Sequence, residues 1–508
     1  MTFIARHRLA PLVGAAAAAA VAAAALLLPA ALGTDPVTVT RGTVATAPDD
    51  GPAAVTPDRV DAVLADALRR AGLPGAAVVI THHDRILYSA GYGHDSTGAA
   101  MTARTPQLVA SMSKAFTATA VMRLVEAGEV DLDAPVVTYL PAFRPADPRG
   151  DRITVRQLLN QTSGLADGGF REMSLPQPRT TAEELDRLRG ARLTADPGTR
   201  WQYHNPNYHL LAALVEAVDG RSFEDYLAEE VLTPLGMDES RAVRRTGLGL
   251  GVADGYVTMY GHPVRHAYPE HYVAGGGGLV STADDLGAWL VSQTNGGRSP
   301  DGVAVLTPES LAVMHSSSAV GEDYGFGWFV NTQEGNTGAV EHGGTHFTTS
   351  GTQAFFPATG YGYAVVFNSA SSLGAEQVAV MAGVATLLNG EEPEPPARVS
   401  LSVDTALAVA TFLVVGCAVR GALGARGWAE RRGRTRRVLG LTWPVLVVVL
   451  AATLPGWAGA LFGGRDVPWS NAWLGWPAMV VLVVTTGAAA AVVLACRVVA
   501  LRSGRLIR

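Results

Sequence analysis

The stretch LVASMSKAFTATAVMRLVEAGEVDLDAPVVTYLP, residues 108–141, contains a long helical run from Ser111 to Gly128 with apolar residues on most of its faces. A helix that is apolar nearly all round is buried on most sides, so this one predicts the centre of a large core. Ser111 and Lys114 stand three residues apart at its start, which puts both on one face within hydrogen-bonding reach. Lys114 is the only lysine of the chain; the other 38 basic residues are arginines. A serine hydroxyl becomes a nucleophile when a nearby base takes its proton. A lysine desolvated by burial or placed beside positive charge can supply that base, whereas an arginine cannot lose its proton. Ser-x-x-Lys alone is a weak signal, but one lysine surviving a strong arginine bias at this spacing marks the pair as candidate chemistry.

Working outward, PDRVDAVLADALRRAG (57–72) has apolar residues at helical spacing and closes on Gly72. GAAVVI and RILYSAGYG follow as two strand-like runs joined by the turn THHD, which reads as a hairpin with His82 and His83 exposed at its tip. Helical stretches then continue to about residue 235, among them TVRQLLNQ, TAEELDRLRG and YHLLAALVEAV. Strand-like runs return in YGFGWFV, TQAFFP and YAVVFN. Strands, a helical block and strands again predict an α+β (mixed α/β) fold, an antiparallel sheet flanked by helices with a helical subdomain inserted into it.

Two later clusters add to the first. TRWQYHNPNY supplies Tyr203 and Asn205, and VEHGGTHF supplies His342, Gly343, Gly344 and Thr345. Ser-x-x-Lys, then Tyr-x-Asn, then His-x-Gly, in that order, resembles the serine β-lactamase and penicillin-binding-protein superfamily. The branch it most resembles holds class C β-lactamases, D-alanyl-D-alanine carboxypeptidases and related esterases. The resemblance covers about residues 57–390 and includes ITVRQLLNQTSGL, LTPLGM, AGGGGLVSTADDLGAWL and the final strand with FNSA. It implies Ser111 as the acylated nucleophile, Lys114 as the group assisting its deprotonation, and Tyr203 as proton shuttle in acylation and deacylation. It further implies Asn205 as a partner of the lysine and of the substrate amide. His342 would stand where many members carry lysine, Gly344 would allow close backbone approach to substrate, and the N–H groups of Ser111 and Thr345 would form the oxyanion hole. Neither a metal nor an organic cofactor is implied.

The departures from the pattern carry information. A neutral imidazole at His342 binds a substrate carboxylate less well than a permanent cation, which disfavours efficient β-lactam hydrolysis. THFTTSG (345–351) replaces the short Gly/Pro-rich link common after the third motif. His204 reads as a variable spacer, and Trp201 and Tyr208 as packing residues. His262, His266 and His271 lack the acids or cysteines that would complete a metal site.

The charge is unevenly distributed. Residues 1–33 carry two arginines and no acid, residues 34–398 carry 25 basic and 42 acidic residues, and residues 399–508 carry 12 arginines and 3 acids. An acidic middle of this size is a poor partner for a phosphate backbone and argues against nucleic-acid binding. With only Cys417 and Cys496, no disulfide framework or cysteine metal cluster is available. Residues 9–34 are uncharged and mostly apolar behind Arg6 and Arg8, with Ala31-Leu32-Gly33 resembling a cleavage site. Residues 1–33 therefore read as a signal peptide or an N-terminal membrane anchor. Residues 34–56 read as a mobile spacer and residues 391–398 (EEPEPPAR) as a stiff linker. Apolar runs at 399–419, 438–464 and 467–496 are each long enough to span a bilayer. Seven arginines lie between the first two runs and four follow the third, while the second loop carries Arg465 balanced by Asp466. The positive-inside rule then puts the arginine-rich loop and the C-terminus in the cytoplasm and residues 57–390 outside. Trp457, Trp469, Trp473 and Trp476 cluster about the short outer loop like an interfacial belt.

The resulting expectation is a multi-pass protein of a bacterial cell membrane whose extracellular domain hydrolyses D-alanyl peptides, D-alanyl esters or related envelope acyl compounds. Its partners would be a small-molecule or peptide substrate and the lipid bilayer. A ligand-binding sensor that acylates slowly and signals through the membrane helices is the alternative. A transporter is disfavoured because Asp404 is the one charge embedded in the runs.

Overall fold

The computed structural model describes residues 36–45, 55–247, 249–320, 323–331, 338–371, 373–431, 433–461 and 464–505. The expected export segment, 1–33, lies outside these. Seven antiparallel strands form the central sheet: β1 (Val39–Val44), β2 (Gly75–His82), β3 (Arg85–Gly93), β4 (Phe329–Asn331), β5 (Ala339–Thr345), β6 (Ser350–Phe355) and β7 (Tyr361–Phe367). Their order across the sheet is β1-β3-β2-β7-β6-β5-β4. The block between β3 and β4 is the inserted, mainly helical region, so the α+β expectation holds.

Side-chain alternation along β2 shows why two cores exist. Ala76, Val78 and Ile80 face one side, where α1 (Pro57–Ala71) contributes Val60, Leu64 and Leu68 and α5 (Ala375–Leu388) contributes Val380 and Val384. Ala77 and Val79 face the other side and join the large core of the inserted region. That second core holds α2 (Ser113–Glu126), α3 (Asn205–Asp219) and α4 (Ala283–Thr294). In α2 nearly every residue is buried, as its all-round apolar character predicts.

Several expectations are corrected. The stretch read as a mobile spacer contains β1, which pairs with β3 at the sheet edge and whose Arg41 is held by Asp58 and Asp61 of α1. Its β-branched residues met an open edge that composition alone does not reveal. His82 is buried against the ring of Tyr361, and His83 alone occupies the exposed turn. The run expected to span over 438–464 forms α7 (Arg434–Ala452) and α8 (Leu454–Leu461), bent by 66° at the break, which makes it a broken span or a re-entrant segment. Pro455 lacks the N–H that a continuous helix needs at that point and disfavours helical backbone just before it.

Two helices, α6 (Val399–Leu423) and α10 (Pro477–Arg505), are long and apolar enough to cross a membrane. The third apolar run starts at Pro477 rather than 467, because Trp469–Gly475 forms a separate short helix, α9. The C-terminal helices are tied to the sheet-bearing domain by polar contacts. Ser400 donates its N–H and hydroxyl to Glu376 (2.7 and 2.6 Å), and Asp404 accepts from the Tyr260 N–H (2.8 Å). Arg398 of the linker donates to the Arg70 carbonyl (2.8 Å).

Candidate active site

Ser111 lies in a 3-10 turn, Ala110–Met112, that runs directly into α2. Ala110 has a φ of +50°, a left-handed conformation that alanine rarely adopts and that surrounding contacts must enforce. Ser113 supplies such contacts, donating its hydroxyl to the Ala110 carbonyl (2.6 Å) and accepting from the Leu279 N–H (2.9 Å).

Lys114, in the first turn of α2, is fully buried beneath Ser111. Its Nζ reaches three acceptors: Ser111 Oγ at 3.1 Å, Asn205 Oδ1 at 3.0 Å and the Gly276 carbonyl at 2.5 Å. A neutral amine in this place would keep two donors for Asn205 and Gly276 and turn its lone pair toward the serine hydroxyl. Asn205 is fixed as the first residue of α3, with Pro206 behind it, and its Nδ2 donates to Glu172 Oε1 (2.8 Å). The Lys114 ammonium also lies 4.8 Å from the centre of the Tyr203 ring.

On the opposite wall, β5 passes close to the nucleophile turn. A Cβ at Gly344 would stand 2.2 Å from the Val109 carbonyl oxygen, so only glycine lets the strand approach. The close approach expected here is thus first an approach to the turn that carries Ser111. His342 is buried, and its Nδ1 faces the Gly343 carbonyl at 2.6 Å, so Nδ1 carries the proton and Nε2 accepts from the Tyr324 hydroxyl at 3.1 Å. Burial, with the nearby Lys114 charge, pushes His342 down to about 3, so the imidazole is neutral. Thr345, at the end of β5, is exposed toward the cavity.

The expected residues therefore converge. Ser111, Tyr203, Asn205, His342, Gly344 and Thr345 line one cavity of about 590 Å³, and Lys114 lies under its floor. Tyr208 and Trp201 pack as expected, Tyr208 donating its hydroxyl to the Leu159 carbonyl (2.7 Å). His271 is paired with His346 (3.4 Å), whereas His262 and His266 occupy a separate hairpin strand, so the three do not assemble.

His204 corrects its reading as a spacer. It is fully buried, and its Nδ1 bonds Asp167 Oδ1 at 2.7 Å. Asp167 Oδ2 in turn accepts from Arg465 Nε (2.7 Å) and the Asp466 N–H (2.8 Å), residues of the loop between α8 and α9. Burial raises the Asp167 carboxyl, but the His204 bond and the Arg465 charge outweigh it and hold the group at about 2. The Arg465 guanidinium stands 5.6 Å from the Tyr203 ring centre and lines the cavity. Asp466 is anchored by the Ser174 N–H and hydroxyl (2.6 Å each) and by Arg171 Nε (3.1 Å). Asp167, Glu172 and His204 bring three potential ligand atoms within 4.8 Å of one another, and here the neighbouring cation is Arg465. None of this second circle was legible in the sequence. Glu172 and Asp167 sit in a loop without a motif, and the near-neutral Arg465-Asp466 pair read as an ordinary outer loop.

Residues 60–387 match the family model described as Beta-lactamase. The chain belongs to that family. Its fold is the mixed α+β, antiparallel-sheet fold of β-lactamases and penicillin-binding proteins, and the family is one of serine hydrolases. Protein flp of Staphylococcus aureus (strain COL) is 26% identical over 421 residues, covering 78% of this chain and 81% of the relative. Esterase EstB of Burkholderia gladioli is 31% identical over 333 residues, covering 56% of this chain and 83% of EstB. Among solved structures, the octameric penicillin-binding protein homologue from Pyrococcus abyssi superposes with a TM-score of 0.55 at 25% identity, covering 69% of this chain and 81% of that one.

Proposed function

We propose that this protein is a membrane-tethered serine hydrolase that acts through an acyl-serine intermediate on D-alanyl esters, D-alanyl peptides or related acyl compounds of the cell envelope. The observation that carries the reading is the buried lysine hub, in which the sole lysine bonds Ser111 Oγ at 3.1 Å under an open cavity. Ser111 Oγ attacks the substrate carbonyl while its proton passes to Lys114. Tyr203 delivers a proton to the leaving group and later takes one from the water that releases the acyl group. The N–H groups of Ser111 and Thr345 stabilise the oxyanion, and Asn205 holds Lys114 in place. The neutral His342 offers no cation for a substrate carboxylate, which favours esters over carboxy-terminal peptides and β-lactams, and a relative bears the name esterase.

The helices α6 and α10, with the bent pair α7–α8, serve as the anchor. The loop carrying Arg465 touches the catalytic domain, while the arginine-rich segment joins α6 to α7 at the other end of the helices. This polarity supports a catalytic domain outside the membrane and a cytoplasmic C-terminus.

The test is turnover by the full-length protein in detergent, beside Ser111→Ala, on a chromogenic ester, a β-lactam and a D-alanyl-D-alanine peptide. The ester should turn over fastest and the variant should be inactive. Stoichiometric labelling of Ser111 without turnover would replace the hydrolase by the sensor reading, and equal activity in the variant would remove Ser111 as nucleophile.

A further inference from the structure

The catalytic cavity does not end at Arg465. A second cavity of about 730 Å³ adjoins it and shares with it Met173, Thr345, Phe347, Ala370, Ser371 and Arg465. Its remaining wall comes from the C-terminal helices: Leu454, Trp457 and Ala458 of α8, Ala472 and Leu474 of α9, and Val480 of α10 among them. Besides Thr345, Ser371, Arg465, Asp466 and Asn471 its lining is largely apolar, whereas the catalytic cavity carries Ser111, Tyr203 and Asn205. Polar contacts of Arg465 and Asp466, which line this second cavity, with Asp167 and Ser174 hold the two walls together. The chamber is thus a built feature at the junction of catalytic and apolar helical parts. Trp457 and Trp476, which the sequence suggests as part of an interfacial belt, face into it.

We infer that this chamber is the subsite for a hydrocarbon chain of the substrate, so that the preferred substrates are amphiphiles whose scissile carbonyl lies at Ser111. The inference rests on the proposed serine hydrolase activity and names its substrate class. The argument is continuity and chemistry. A chain leaving the carbonyl at Ser111 passes Thr345 and Arg465 directly into a largely apolar cleft, where its methylenes lose part of their contact with water. Arg465 sits at the neck between the cavities, its Nε held by Asp167, and leaves its terminal nitrogens available to a polar group at the head of the chain. The candidate span α10 begins at this chamber, which suits a substrate delivered from the bilayer surface.

The experiment uses the full-length protein in detergent micelles below saturation, with p-nitrophenyl esters from acetate to dodecanoate. The ratio of kcat/KM for the dodecanoate to that for the acetate is expected to exceed about 10²-fold, since burying one methylene alters a binding constant by roughly fourfold. Gly475→Phe, at a chamber position where a Cβ meets nothing within 4 Å, and Ala458→Leu should each lower that ratio by about tenfold. Because the ratio does not depend on the fraction of folded protein, loss of yield cannot imitate the effect. A flat chain-length profile, or a ratio unmoved by both variants, would overturn the subsite while leaving the hydrolase reading intact. Failure to hydrolyse any ester, the acetate included, together with no turnover of the D-alanyl-D-alanine peptide, would instead overturn the hydrolase reading itself.

Discussion

Around Lys114 the floor of the catalytic cavity is buried and fully bonded within one domain, whereas above Tyr203 the wall is a loop supplied by the C-terminal helical region. The floor joins residues from α2, α3 and the glycine-rich segment at Gly276 through bonds of 2.5 to 3.1 Å. The roof joins Arg465 and Asp466 to Asp167, Arg171 and Ser174, and Arg465 keeps about a third of its side chain exposed. The difference teaches that the Ser111–Lys114 arrangement is built within one domain, while the shape of the cavity depends on how the helical region docks. Substitutions in the floor should abolish turnover, and substitutions in the roof should change which substrates bind.

The largest effect is expected for Ser111→Ala, which should lower kcat/KM on a chromogenic ester by at least about 10³-fold while leaving the thermal transition in place. Lys114→Arg keeps the charge but replaces the amine with a guanidinium that cannot lose its proton, so kcat should fall by roughly 10² to 10⁴-fold. If that variant retained near-normal turnover, the floor would not be the seat of the chemistry and the contrast with the roof would collapse. Gly344→Ala would drive a Cβ into the Val109 carbonyl, displacing the nucleophile turn. Overpacking of this kind costs about 1–3 kcal/mol, visible as a lowered Tm together with reduced kcat.

In the roof, Asp466→Ala strips the acceptor from Ser174 and Arg171. A loss of about 1–3 kcal/mol of docking energy should appear as a raised KM, up to about tenfold, with kcat largely kept. A pure kcat effect would instead place this loop in the chemistry. The smallest effect concerns acid. His315, His342 and His346 are each pushed down to about 3 by burial, from an ordinary value of 6.5. Between these values the unfolded chain binds more protons than the folded one. Their contribution to stability is therefore complete above about pH 6.5 and is lost as the pH falls toward 3. The Tm should decline steadily from pH 7 to pH 5, and His315→Gln, away from the site, should flatten that slope.

Legibility followed the range of the interactions. Ser111 and Lys114 are neighbours on one helical turn, so periodicity alone brought them together. Tyr203, Asn205, His342 and Gly344 were found through ordered short motifs, which mark positions but not distances. The reason Gly344 must be glycine, a carbonyl 2.2 Å from where a Cβ would be, belongs to the packing of β5 on the nucleophile turn. β1 was missed because an edge strand depends on the sheet it joins. The break between α7 and α8 was overlooked because hydropathy averages across Pro455. His204 was read as a spacer because its partner, Asp167, is 37 residues away in a loop without a pattern.

By itself the amino-acid sequence determined the α+β class, the Ser111–Lys114 pairing on one helical turn, and the apolar character of the C-terminal helices, since each rests on local spacing or composition. Only the tertiary structure decided that Arg465 stands over Tyr203, that His342 is neutral and tied to Tyr324, and that an apolar chamber continues the catalytic cavity. Those features arise where segments that are not neighbours in the sequence meet, from 18 residues apart for Tyr324 and His342 to 298 for Arg465 and Asp167, and burial and charge at such junctions exist only once the chain has folded.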